Sequence, residues 1–296
     1  MHLNYYNKWL KCIKSPTNPT TLNILMKQKY LTNEKVKSLL VAMLDSFYSF
    51  CTKHDLRFSI SGGTLLGAIR HNGFIPWDDD IDLCMPRPDY EMLISLKEAL
   101  LEETGLVLQG FLDLSPHETP FLKLVNKNYL SKIGTDIETS YLWLDIFPVD
   151  GLPDNKETVQ SIYKKTSFIR RIIFFIISDP SSKSSKFSRF TMATIGSLLR
   201  KFPCILKSLN KKLDRINKTM SYESCSHVGV IGWGMYGIGE RFSKIQFENF
   251  VFVNFEQHKF PAMGCWHEYL TGIYGDYMQL PPIEKRTAHD LKVWHS

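Results

Sequence analysis

The sequence predicts an α+β fold, a mixed sheet flanked by helices and interrupted by a basic helical insert. Three observations predict it. Two runs, Ile81 to Met85 and Tyr141 to Val149, alternate side-chain character with period two, as half-buried strands do. Asn33 to His54 instead repeats apolar residues at three- and four-residue spacing, the helical period. Strands and helices then follow one another without a regular βαβ rhythm, which argues against a doubly wound parallel sheet.

Taken in order, residues 1–31 are polar and punctuated by Pro and Thr between Ser15 and Thr21, so we expect a loosely attached arm. The core is expected to span 32–154. Its first helix lines up Val36, Leu39, Leu40, Met43, Leu44, Phe47, Phe50 and Cys51, with Thr32 or Asn33 as cap. A short strand, Arg57 to Ser61, runs into Gly62-Gly63 and a helical turn from Thr64 to Arg70. Asn72-Gly73 reads as a turn. In the next strand Ile81, Leu83 and Met85 alternate with Asp80, Asp82 and Cys84, and Pro86 and Pro88 end it. Asp89 to Glu103 reads as one helix, and Leu106 to Gln109 and Phe121 to Val125 as strands. Tyr141 to Val149 places Leu142, Leu144 and Ile146 on one face, Trp143 and Asp145 on the other.

The insert is expected at 155–227, as two or three helices around a Ser/Lys-rich break at Pro180 to Ser188. Residues 228–296 then complete the core domain. They contain a glycine-rich stretch to Gly239, a strand at Phe250 to Phe255, a helix at His267 to Tyr274 and a polar tail from Asp276.

Composition narrows the function classes. At 44% hydrophobic and 22% charged residues the chain is ordinary globular protein, which excludes wholesale disorder and fibrous repeats. The net charge of +6 is unevenly placed: 156–218 holds fifteen basic and three acidic residues, so the remainder is acidic. The longest apolar run, Ile172 to Ile177, is far short of the roughly 20 residues of a spanning helix. Met1 to Lys14 lacks an apolar stretch followed by small residues, so we expect no signal peptide. Six cysteines without a C-x-x-C suggest reduced thiols, and we expect a cytoplasmic protein.

The densest chemistry lies in Ser61-Gly62-Gly63-Thr64 and Pro76-Trp77-Asp78-Asp79-Asp80-Ile81-Asp82. Asp80 and Asp82, two apart on a strand, share a face, and their repulsion calls for a hard divalent cation, Mg²⁺ or Mn²⁺, able to grip phosphate. Asp145 lies among apolar neighbours, where an unpaired carboxylate is costly, so it is expected to join them. Asp78 and Asp79 read as loop residues. Gly62-Gly63 between a strand and a helix reads as a phosphate cradle, because backbone N–H groups approach closely there.

These residues carry a resemblance. SGGTLLGAIRHNGFIPWDDDIDLCMPRPDYEML (Ser61 to Leu93) closely resembles the LicD family, relatives of fukutin in the nucleotidyltransferase superfamily. A second block, Phe250 to Pro282 with Arg286 and His289, is also similar to it. The resemblance implies a nucleotidyltransferase-like sheet. It also implies a Mg²⁺-dependent enzyme moving phosphocholine from CDP-choline to a sugar hydroxyl, with release of CMP. The acceptor would be a cell-surface glycan such as lipopolysaccharide, capsule or teichoic acid, or its lipid-linked precursor. Asp80, Asp82 and Asp145 would be catalytic and hold the metal, with Asp145 open to either ligand or base. Gly62, Gly63 and Thr64 would contact phosphate, and Arg70, Lys123, Arg286 and His289 would bind the donor. Trp77 reads either as a packed core residue or as a stacking partner for a base or an ammonium group. CDP-ribitol or CDP-glycerol as donor, or nucleotidyl transfer, are alternatives with the same residues.

The insert admits three readings. It is a helical subdomain packed on the core, an interfacial segment on anionic lipid at the inner face of the membrane, or a nucleic-acid surface. The last is disfavoured because no nucleic-acid-reading module is present. A non-catalytic membrane-surface protein is the alternative from another class.

Overall fold

In the computed structural model, which describes residues 30–110, 119–133, 139–177, 190–286 and 290–296, Thr32 caps α1 (Asn33–Lys53) by accepting from the Lys35 N–H. The apolar repeat buries Val36, Leu40, Met43, Leu44, Phe47, Phe50 and Cys51 on one face. The chain then forms β1 (Ser59–Ile60) and α2 (Gly62–His71), whose first turn contains both glycines. Asn72, in the left-handed region at φ 56°, ends α2 and makes the expected turn.

β2 (Asp82–Pro86) follows, and the helix expected at 89–103 is two: α3 (Arg87–Ser95) and α4 (Lys97–Thr104). They break at Leu96, whose N–H is shared between the carbonyls of Met92 and Leu93. β3 (Val107–Gln109), β4 (Leu122–Ile133) and β5 (Ser140–Leu152) complete the first half. The expected segregation of faces on β2 and β5 is only partial. Leu83 to Met85 and Leu142 to Leu152 are buried on both sides, because these strands sit in the middle of the sheet.

The insert contains α5 (Lys156–Ile177), a π-helical turn (Met192–Gly196) leading into α6 (Ser197–Arg200), and α7 (Pro203–Asn217). The Ser/Lys-rich break at 180–188 lies outside the described residues. Val159, Tyr163, Ile169, Ile173 and Ile176 form the buried stripe of α5. Leu152 and Ile231 pack on its first part, and Leu213 of α7 on its second. The insert is also fastened by charge. Arg87 forks onto buried Asp150 at 2.6 and 2.8 Å and reaches Asp214 of α7 at 3.3 Å, while Lys218 meets Glu91 at 2.7 Å.

β6 (His227–Gly229), a 3₁₀ turn (Gly237–Glu240), β7 (Arg241–Ser243), α8 (Lys244–Glu248), the hairpin β8 (Val251–Phe255) and β9 (His258–Ala262), and α9 (Trp266–Tyr274) follow. The tail expected to be polar from Asp276 is corrected at its far part. Leu291–His295 forms β10, antiparallel to β4, with Val293 and Trp294 buried. Pairing with a long neighbouring strand supplies the order that local sequence lacks.

The sheet runs β10-β4-β5-β2-β1-β9-β8, with β3 on β4 and β6 between β5 and β7. β2–β5 and β1–β9 are parallel and the other pairs antiparallel, so the fold is the mixed α+β arrangement expected. Among the described residues no helix is long and apolar enough to cross a membrane.

Candidate active site

A cavity of about 270 Å³ opens where α2 leaves the sheet. Gly62, Gly63, Asp78, Asp80, Asp82 and Arg70 line one side of it. Trp233, Tyr236, Glu240, Tyr269, Tyr274 and Tyr277 also line it. The first group comes from the 61–82 segment and the second from 228–281, so the two resembling blocks meet in space.

Close approach explains the glycines. Gly62 has φ 53°, and a Cβ there would stand 2.7 Å from Asp82 Oδ2. A Cβ on Gly63 would stand 2.6 Å from Asp78 Oδ2. The pair therefore lets two carboxylates press against the first turn of α2, where free N–H groups favour negative charge. One of those groups, the Gly62 N–H, donates to the Tyr269 hydroxyl at 3.2 Å, tying α9 to the loop.

Thr64 does not line the cavity. It is buried beneath it, and its hydroxyl accepts from the Asp82 N–H at 2.8 Å, so it positions the carboxylate instead of meeting a ligand. The three consecutive aspartates part company. Asp78 and Asp80 face the cavity, whereas Asp79 accepts from the Leu291 N–H at 3.2 Å and anchors β10. Asp78, read from sequence as a loop residue, is thus a site residue. Asp80 precedes the strand proper, which begins at Asp82.

Asp145 is the register partner of Asp82 across the parallel β2–β5 pair, so the two side chains leave the sheet on the same side. It is 1% exposed, absent from the cavity wall, and bound at 2.7 Å by Lys123, whose ammonium lies over the Trp143 ring at 4.4 Å. Lys123 accordingly serves Asp145. Arg70 donates to the Tyr277 carbonyl at 2.7 Å and to His71 Nε2 at 2.9 Å, and among the described residues no carboxylate pairs with it. Burial, with Arg286 adding repulsion, lowers its guanidinium from the ordinary range. Arg286 lies over Trp77 at 4.8 Å and donates to the Pro281 carbonyl, so Trp77 is partly packed and partly cavity wall. His289 lies outside the described residues.

Sequence reasoning does not single out Glu240, Tyr236 or Tyr269. Glu240 is 5% exposed, and burial pushes its carboxyl up to about 7 although the Tyr236 N–H donates to it at 2.7 Å. Burial likewise raises Tyr236, Tyr269 and Tyr274 above the usual phenol range.

Among the described residues no three His, Cys, Asp or Glu side chains already converge as a metal site. Of the wall carboxylates, Asp80 and Asp82 suit a hard cation that takes its other ligands from water and a substrate's phosphates, the usual habit of Mg²⁺.

Residues 55–178 match the family model described as LicD/FKTN/FKRP, nucleotidyltransferase domain. That range holds the glycine pair, Asp78, Asp79, Asp80, Asp82, Asp145 and α5. The lipopolysaccharide cholinephosphotransferase LicD of Haemophilus influenzae is 29% identical over 273 residues, covering 89% of this chain and 98% of that protein. Residues 55–178 are thus a LicD-type domain. An uncharacterised protein of Rickettsia typhi is 36% identical over 69 residues, 23% of this chain and 22% of its own length. One from Rickettsia prowazekii is 40% identical over 70 residues, 23% and 26% of the two chains. The LicD nucleotidyltransferase match reaches residue 178 and so takes in the first helix of the insert, which lies in neither of the two resembling blocks. The LicD glycine-and-aspartate segment is also the one whose close contacts build the cavity wall.

Proposed function

We propose that this protein transfers phosphocholine from CDP-choline to a sugar hydroxyl of a cell-surface glycan, of the lipopolysaccharide kind or its lipid-linked precursor. The observation that carries the reading is the cavity wall of Gly62, Gly63, Asp78, Asp80, Asp82 and Arg70 within a LicD-type domain. The named Haemophilus relative, alignable over nearly its whole length, supports phosphocholine as the group moved.

Phosphoryl transfer is mostly positioning and charge neutralisation. In this reading Asp80 and Asp82 hold Mg²⁺ or Mn²⁺, which when bound neutralises charge on the donor diphosphate. Arg70 offers a guanidinium to the same phosphates, and the first turn of α2 offers its N–H groups. The acceptor oxygen bonds to the phosphorus that carries choline, and the bond from that phosphorus to the CMP oxygen breaks. CMP leaves with the bonding pair, and the hydroxyl proton passes to a wall carboxylate. Asp145, held by Lys123, supports Asp82 from the next strand.

The decisive assay follows CMP release with CDP-choline, CDP-ribitol, CDP-glycerol and nucleoside triphosphates, with and without Mg²⁺, on a glycan acceptor. CDP-choline is expected to be the preferred donor, and Asp82→Asn is expected to abolish transfer with the fold intact. A fully active Asp82→Asn protein would falsify the reading.

A second observation favours a membrane-facing role for the insert at the inner face of the cell membrane. Phe168, Phe190, Leu198 and Phe202 are each more than half exposed within a segment rich in lysine and arginine. Apolar side chains beside basic ones suit anionic lipid, each nearby cation adding about 1 kcal/mol. Flotation with anionic but not zwitterionic vesicles, weakened by Phe190→Ser with Phe202→Ser, is the expected result. Equal flotation of both proteins would remove this role.

A further inference from the structure

Glu240 ends the 3₁₀ turn and reaches the cavity as a buried carboxylate beside Trp233, Tyr236, Tyr269 and Tyr274. Among the described residues it makes no salt bridge. The nearby cation, Arg170 of α5, is committed elsewhere, donating to the carbonyls of Gly232 at 2.9 Å and Ile231 at 3.4 Å. Glu240 instead accepts from the backbone N–H groups of Tyr236 and Met235. Arg170 offsets only part of the cost of burying this carboxylate, so the site favours a cation that is brought by the ligand.

The surroundings define which cation fits. Tyr236 and Tyr274 meet edge to face at 5.8 Å, and the Tyr236 phenol lies within electrostatic reach of both Glu240 and Asp82. The rings therefore share one cavity with the buried carboxylate and with the carboxylates of the phosphate side. A primary ammonium needs acceptors for its N–H bonds, and aromatic walls offer few. A quaternary ammonium has no N–H to satisfy and is held by ring faces and diffuse negative charge.

We propose that Trp233, Tyr236, Tyr274 and Glu240 form the subsite for the quaternary ammonium of the donor, and so select the choline-bearing nucleotide over other CDP-alcohols. The proposal rests on the phosphocholine-transfer reading and assigns its specificity to residues of this chain.

Calorimetric titration of the full chain with CMP, choline chloride, CDP-choline and CDP-ethanolamine, Mg²⁺ present, tests it. The protein is expected to prefer CDP-choline to CDP-ethanolamine by about tenfold or more. Glu240→Gln is expected to lose that preference while binding CMP unchanged, and Tyr274→Leu carries the same comparison if Glu240→Gln does not fold. An unchanged preference in the variants overturns the subsite. So does an equal loss of CMP and CDP-choline, which marks a structural role. If the unmodified protein binds no CDP-linked ligand, phosphocholine transfer itself fails, and choline chloride then decides the subsite alone. Choline binding weakened by Glu240→Gln sustains it, and no choline binding overturns it.

Discussion

Lys123 holds Asp145 at 2.7 Å while its ammonium rests on the Trp143 ring, so the carboxylate beside Asp82 in the sheet is buried as an ion pair. Removing one partner of such a pair strands the other. Lys123→Met is expected to destabilise the protein by about 3–5 kcal/mol, and adding Asp145→Asn to recover much of that loss. Urea unfolding of the two proteins checks it; equal midpoints for Lys123→Met and the unmodified chain would show that the pair contributes nothing.

Two left-handed glycines separate backbone strain from crowding. Gly105, at φ 70°, has open space where a Cβ would go, whereas Gly62 faces Asp82. Gly105→Ala is expected to cost about 1–2 kcal/mol and to leave transfer intact. Gly62→Ala bears the same strain and also displaces the carboxylate, so transfer should fall at least as far as with Asp82→Asn. Thermal melts alongside the CMP-release assay separate the two effects, and an active Gly62→Ala protein would contradict the close-approach argument.

Glu240 makes stability depend on pH. Its carboxyl titrates at about 7 in the folded chain against an ordinary 4.5, so the folded state binds this proton more tightly than the unfolded one. The associated stability is fully present below pH 4.5 and is lost as pH rises through about 7, on the order of 3 kcal/mol in all. Tyr163, Tyr236, Tyr269, Cys84 and Arg170 are its ionisable neighbours. Glu240→Gln should therefore gain on the unmodified protein between pH 5 and 8. Parallel pH profiles would refute the assignment.

Arg87 joins α3 to Asp150 in the core and to Asp214 in the insert. Arg87→Met is expected to leave buried Asp150 unpaired, lower the melting temperature and increase hydrogen exchange in α7 more than in α1. Uniformly raised exchange would mean that the insert is not held through this contact.

The glycine pair, Asp80 and Asp82 were legible because turn, helix and strand follow one another within some twenty residues, so local order carries the geometry. α1 was legible from its cap and unbroken apolar stripe. Glu240 was not, since it sits in a Gly-Ile-Gly-Glu turn with no periodic pattern, and only tertiary packing brings it to the cavity wall. Thr64 and Lys123 read as ligand contacts because sequence reports residue type without depth; burial assigns them to Asp82 and Asp145. The separate fates of Asp78, Asp79 and Asp80 depend on a backbone turn that composition does not encode.

The bond from Leu291 to Asp79 has a bearing on biosynthesis. It ties the turn carrying Asp78 and Asp80 to a strand made more than two hundred residues later. During vectorial synthesis the aspartate turn must wait, incompletely anchored, until that strand has left the ribosome. Contacts of such sequence separation are slow to form and leave the intermediate exposed. Emergence of β10, more than emergence of the LicD-type segment, then sets the moment at which this site is complete.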